Sequence, residues 1–118
     1  MNEQYRQLSS SERQLIDQLL SEDFPGRDAI RAQIAFASAR EIDASGSLEL
    51  AVPQGSPPAI TKFRVPIEGW SSDSDGVHIH VLLHVVNGAV NEVEVYKDDG
   101  SPIVNMPEAG RLTIFRPE

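Results

Sequence analysis

Apolar positions recur every three to four residues in the first third of this chain and every second residue after it. Leu15, Ile16, Leu19 and Leu20 fall on one helical stripe, while Arg13 and Asp17 stand four apart on the other side. Ser9-Ser10-Ser11-Glu12 precedes the stripe with capping-box spacing. The Ser9 hydroxyl accepts from the Glu12 N–H, and the Glu12 carboxylate accepts from the Ser9 N–H. Phe24-Pro25-Gly26 ends the run. A shorter helix is predicted from Arg27 or Asp28, with Ile30, Ile34 and Ala37 on its apolar side. Together the two predict an αα-hairpin over about residues 9–37.

From Arg40 onward the period is two. Leu48, Leu50 and Val52 alternate with polar or small neighbours, as do Phe63, Val65 and Ile67, and Leu112 and Ile114 mark a last short strand. Turns are expected at Asp43-Ala44-Ser45-Gly46, Asp73-Ser74-Asp75-Gly76 and Asp98-Asp99-Gly100, where Asp and Gly tolerate left-handed backbone. Pro66 has no N–H for a ladder, so its strand is expected at an edge or bulged there. Helices followed by strands read as one α+β domain over residues 1–118. The predicted architecture is an N-terminal αα-hairpin packed on one face of a five- to six-stranded antiparallel meander sheet, the sheet spanning about 40–116 and its other face wet.

The stretch from Gly76 to Gly88 holds all three histidines. Helical spacing would set His80 and His84 four apart on one face, but Val77, Ile79, Val81, Val85 and Val86 are β-branched and Asn87-Gly88 is a hairpin signal. A two-residue loop carried through the hairpin sets Val81 opposite Glu94 and Leu83 opposite Glu92, putting carboxylates on an apolar face. A three-residue loop, Val86-Asn87-Gly88, instead pairs Val85 with Ala89, Val81 with Val93 and Ile79 with Val95. In that register His80 faces Glu94 and His78 faces Tyr96, with Cβ atoms about 5 Å apart. His78, His80, Glu92, Glu94 and Tyr96 then form the candidate polar-face site, and His84 is read as a surface histidine. His-x-His on a strand sets two rings roughly 7 Å apart on one side, so His78, His80 and Glu94 are the residues that would hold a divalent ion. The plainer reading is a solvated sheet face stabilised by cross-strand pairs; no metal and no cofactor are expected.

Charge narrows the partners. Ten Lys and Arg against eighteen Asp and Glu give a formal charge of −8, which repels nucleic acid and anionic membrane and suits a protein with a basic surface. With no cysteine, disulfides, thiolate nucleophiles and Cys-ligated zinc are excluded. The start of the chain has no apolar h-region, and no run nears the ~20 apolar residues of a membrane span, so a cytoplasmic location is expected. Other motifs read as structure. Asp73-Ser74-Asp75-Gly76 lacks the bidentate glutamate of a calcium loop, Leu82 standing at that position. Trp70 is expected to pack in the core or at the sheet edge. Asp28 is expected to cap the second helix with Arg27 paired locally, rather than to build an anion site with Arg31. Neither a Gly-x-Ser-x-Gly elbow nor a phosphate-cradling glycine loop occurs. A homodimer through the Pro66 edge or the helical hairpin is compatible with the sequence, which does not decide it.

"YRQLSSSERQLIDQLL", "DFPGRDAIRAQ" and "DGVHIHVLLHVVNGAVNEVEVYKDDGSPI" together cover much of the chain. On these segments it resembles a family of small bacterial proteins catalogued only as a domain of unknown function. The resemblance implies a bacterial, cytosolic, stand-alone module, and it supplies no activity, cofactor or catalytic residue. Two functions remain in view. One is a non-catalytic protein-binding or accessory module. The other is a metal-dependent or acid–base enzyme in which Glu92 or Tyr96 handles protons beside an ion held by His78, His80 and Glu94.

Overall fold

The capping box forms as the sequence predicts. In the computed structural model, which describes residues 5–108 and 110–117, Ser9 N–H donates to Glu12 Oε1 at 2.8 Å and Glu12 N–H to Ser9 Oγ at 3.2 Å. Helix α1 (Ser10–Leu19) follows from it, burying Leu15, Ile16 and Leu19. Helix α2 (Arg27–Ile34) starts differently from the expectation. Asp28 does not cap it; the N-cap is Gly26, at φ +92°, and Asp28 lies in the first turn with a bond from Arg27 Nε at 3.2 Å. Glycine is needed there, because a Cβ would sit 2.8 Å from Thr61 Cγ2 and 2.9 Å from the Ile60 carbonyl oxygen, in a backbone region that side chains disfavour.

Among the described residues seven strands form one antiparallel sheet: β1 (Arg6–Gln7), β2 (Ser38–Glu41), β3 (Leu48–Ala51), β4 (Ile67–Ser72), β5 (His78–Val86), β6 (Ala89–Lys97) and β7 (Thr113–Phe115). Their spatial order, β1-β2-β3-β6-β5-β4-β7, corrects both the predicted count and the predicted meander. β1 is too short to show a period. Alternation also describes each strand singly, so it is silent on the long connections that seat β3 against β6 and β7 against β4. Inward residues Leu48, Ile67, Ile79, Val81, Leu83, Val93 and Val95 join Leu15, Ile16 and Leu19 of α1 and Ile30 and Ile34 of α2 in one apolar cluster. No helix among the described residues is long and apolar enough to cross a membrane.

Three local predictions are corrected. The alternation at Phe63, Val65 and Ile67 does not make a strand of that whole stretch: β4 begins at Ile67, after Pro66. Pro66 cannot donate, and the residues before it keep a backbone bond to β5 through Val85 N–H to the Arg64 carbonyl, 2.7 Å. Trp70 lies within β4 and points to the wet face opposite His80, not into the core. In the β5–β6 hairpin Asn87 (φ +52°) and Gly88 (φ +80°) make a two-residue turn, pairing Val86 with Ala89 and Val85 with Val90. Asn91 is then an extra residue, a β-bulge, after which His84 pairs with Glu92, Val81 with Val95 and His80 with Tyr96. The predicted pairs His80–Glu94 and His78–Tyr96 are therefore replaced.

Two buried polar groups tie irregular segments to this frame. Gln33 of α2, 2 % exposed, donates to the Pro57 and Gly88 carbonyls at 2.9 and 2.8 Å and accepts from Val90 N–H at 2.9 Å. Lys97 ends β6 pointing inward, where its ammonium donates to Asp73 Oδ2 at 2.8 Å, Asp75 Oδ2 at 2.6 Å and the Pro102 carbonyl at 3.1 Å. Asp73 also accepts from the N–H groups of Ser74, Val104 and Asn105. A segment without regular structure, residues 102–107, is thus anchored on a buried ion pair.

Candidate functional site

The wet face is built by alternation. β5 turns His78, His80, Leu82 and His84 outward, β6 adds Glu92, Glu94 and Tyr96, and β4 adds Glu68, Trp70 and Ser72, which pair with Leu82, His80 and His78. All five predicted residues thus share one face, but they fall into two groups rather than one site.

The first group is a set of stacked rings. His78 lies on Trp70 with centroids 4.3 Å apart and planes 25° apart, and His80 lies on Tyr96 at 4.8 Å and 15°. The two imidazoles meet edge to face at 6.4 Å. His80 Nε2 bonds Asp98 Oδ1 at 2.6 Å, so its carboxylate partner is Asp98 rather than Glu94. Burial raises the Tyr96 phenol above its ordinary value, and the charges of Asp98, Glu68 and Glu94 raise it further. A phenol so held stays protonated at neutral pH and is poorly suited to act as a base there.

The second group centres on His84, which sequence reasoning passed over. Its Nε2 bonds Glu94 Oε1 at 2.8 Å, and its Nδ1 accepts from Arg64 Nε at 2.9 Å. Its ligating atom and those of Glu92 and Glu94 all lie within 4.8 Å of one another. Glu92 was expected on this face, but the bulge that sets it opposite His84 is invisible in the alternation; the signal for Arg64 was Pro66, which delays the start of β4 and lets the preceding chain run beside β5.

Among the described residues it is His84, Glu92 and Glu94, where His78, His80 and Glu94 were expected, whose ligating atoms gather closely enough to hold a divalent ion. The ring's hydrogen bonds oppose it. A guanidinium only donates, so Nδ1 is the acceptor and Nε2 carries the proton given to Glu94. An ion on Nε2 would need that proton gone and Nδ1 protonated instead, displacing Arg64. Arg64→Gln is therefore expected to bind zinc about tenfold more tightly than the wild type, with amide shifts centred on His84, Glu92 and Glu94. Equal affinity in the two proteins would show that Arg64 does not set the ring.

The face itself is open. A cleft of about 440 Å³ beside α1 is lined by other residues, and one of about 620 Å³ beside the β5–β6 turn shares only Arg64 with the groups above.

A family model matches residues 5–107, and that family is described as a domain of unknown function (DUF6984). The chain belongs to this family. No curated protein matches it, and no solved structure does. What this DUF6984 domain offers chemically is its stacked rings, an Arg64–His84–Glu94 relay of hydrogen bonds, and carboxylates at Glu68, Glu92, Glu94 and Asp98 around them.

Proposed function

We propose that this chain is a non-catalytic binding module, an accessory protein of the bacterial cytoplasm, that presents the wet face of β4, β5 and β6 to a protein with a basic surface. In this reading the helices cover the other side of the sheet as a hairpin and leave this face free. The observation that carries it is the saturation of the histidines. Each imidazole is engaged by a ring or hydrogen-bonded partner, four carboxylates stand around them, and Arg64 is bonded to His84. An open, acidic face with aromatic edges suits docking: Tyr and Trp supply rigid contact area, and the charge steers a basic partner.

A second reading, a metal-dependent or acid–base enzyme, is favoured only by the proximity of His84, Glu92 and Glu94. The two readings separate in one experiment. Affinity capture by the wild type is expected to yield one specific partner whose recovery falls as salt rises, and Glu68→Lys with Tyr96→Ala should lose it while remaining folded. No specific partner at any salt concentration, or a partner retained by the double variant, would sink the docking reading. Saturable zinc binding by the wild type together with hydrolytic turnover would favour the enzyme.

A further inference from the structure

On the opposite side of the sheet, a cleft of about 440 Å³ opens between α1 and the 102–107 segment. Its floor is the core itself: Leu15 and Ile16 of α1, Leu48 of β3, and Val93 and Val95 of β6. Ile103 and Met106 close the far wall, and Val104 and Met106 are exposed at its edge. This wall is tied to the buried Lys97–Asp73 pair. Asp73 holds the backbone N–H groups of Val104 and Asn105 at 2.7 and 3.0 Å, and Lys97 holds the Pro102 carbonyl, so the buried ion pair fixes the segment's height above the sheet. Methionine on such a wall adapts to whatever apolar shape enters.

The mouth of the cleft is acidic. Glu12, Glu41 and Asp43 line it, and Arg6 beside the mouth grips Glu12 at 2.8 and 2.9 Å and reaches Glu41 at 3.5 Å. Among the described residues the lining carries three carboxylates and no Lys or Arg, so with Arg6 beside it the mouth keeps an excess of negative charge next to an apolar floor. That combination fits an apolar side chain carried next to a cation, and the volume lies within the ~300–1,000 Å³ of ligand pockets.

We propose that this cleft binds a short peptide segment that inserts apolar side chains between α1 and residues 102–107 and sets a lysine or arginine against Glu41 and Asp43. The site is separate from the wet face and does not depend on the docking reading above.

The probes are three synthetic hexapeptides: alternating leucine and lysine, alternating leucine and glutamate, and alternating serine and lysine. Binding is followed by NMR at Leu15, Val93, Val95, Ile103 and Met106. The leucine–lysine peptide is expected to give saturable shifts at these residues, with an affinity at least about tenfold above either control. Ala44→Trp, which adds bulk at the exposed mouth, should abolish the shifts, and Asp73→Asn, which loosens the anchored wall, should weaken them. Where Asp73→Asn fails to fold, Ala44→Trp still decides. Absent shifts, shifts of equal size with the leucine–glutamate or serine–lysine peptide, shifts confined to Trp70 and Tyr96, or binding unchanged by Ala44→Trp would each overturn the proposal.

Discussion

Lys97→Met is expected to lower the melting temperature by at least about 10 °C, the largest loss for any single side chain considered. Lys97 and Asp73 are both buried, at 4 and 5 % exposed. Methionine fills similar space but leaves the Asp73 charge with its three N–H donors and no counter-charge, and frees the Pro102 carbonyl that positions residues 102–107. Removing one partner of a buried pair costs far more than the pair contributes, because the remaining charge stays desolvated.

The same pair sets a pH profile. The Lys97 ammonium holds Asp73 well below the usual carboxylate range, with the N–H groups of Val104, Ser74 and Asn105 adding to it, and lowers Asp75 as well. An unfolded aspartate titrates near ~3.9, so this stabilisation is complete above about pH 5 and is lost as pH falls through the depressed folded values. On Lys97 burial opposes the charge, but the bonds to Asp73 and Asp75 outweigh it and raise its pKa. That contribution is whole below about pH 10 and is lost as pH rises through the elevated folded value. Thermal melts from acid to alkaline pH should show a plateau between these limits, and Asp73→Asn should flatten the acid limb. A Lys97→Met melting temperature within about 2 °C of the wild type would show that the segment is held by other contacts.

Gln33→Leu is expected to cost about 1–3 kcal/mol in urea denaturation, despite replacing a polar core residue with an apolar one of similar size. Gln33 acts as a piece of backbone between α2 and the hairpin, bonding Pro57, Gly88 and Val90. After the substitution the Gly88 carbonyl keeps Ala59 N–H at 2.8 Å, and Pro57, which is exposed, can turn to water. The buried Val90 N–H has neither recourse. Its amide should lose hydrogen-exchange protection beyond the global loss, and a cost under about 0.5 kcal/mol would mean that the site relaxes to repair it.

The register of the β5–β6 hairpin explains why the candidate site was legible only in part. The predicted partners of His80 and Val81 were Glu94 and Val93; the observed ones are Tyr96 and Val95, two residues further along β6. A slide of two keeps every side chain on its face, so the inward set Ile79, Val81, Leu83, Val93 and Val95 was predicted correctly from a register that was not. The two-residue turn, which unbroken would put glutamates in the core, does form, and Asn91 restores the phase within two residues. Turn chemistry and face alternation were both right. What they lacked was the bulge that reconciles them, and with it went the identity of each histidine's partner.

By itself the sequence determined what depends on neighbours along the chain: the Ser9–Glu12 cap, the apolar stripe of α1, the Asn87-Gly88 turn, the alternation of β5 and the excess of negative charge. Only the tertiary structure decided what depends on residues far apart in sequence. Arg64 meets His84 because Pro66 delays β4, Gln33 meets Val90 because α2 lies against β6, and Asp73 meets Lys97 because β4 and β6 flank β5. A periodic pattern encodes which way a side chain points. Which group it meets is fixed by the strand order, one bulge and the buried polar bonds that hold irregular segments in place.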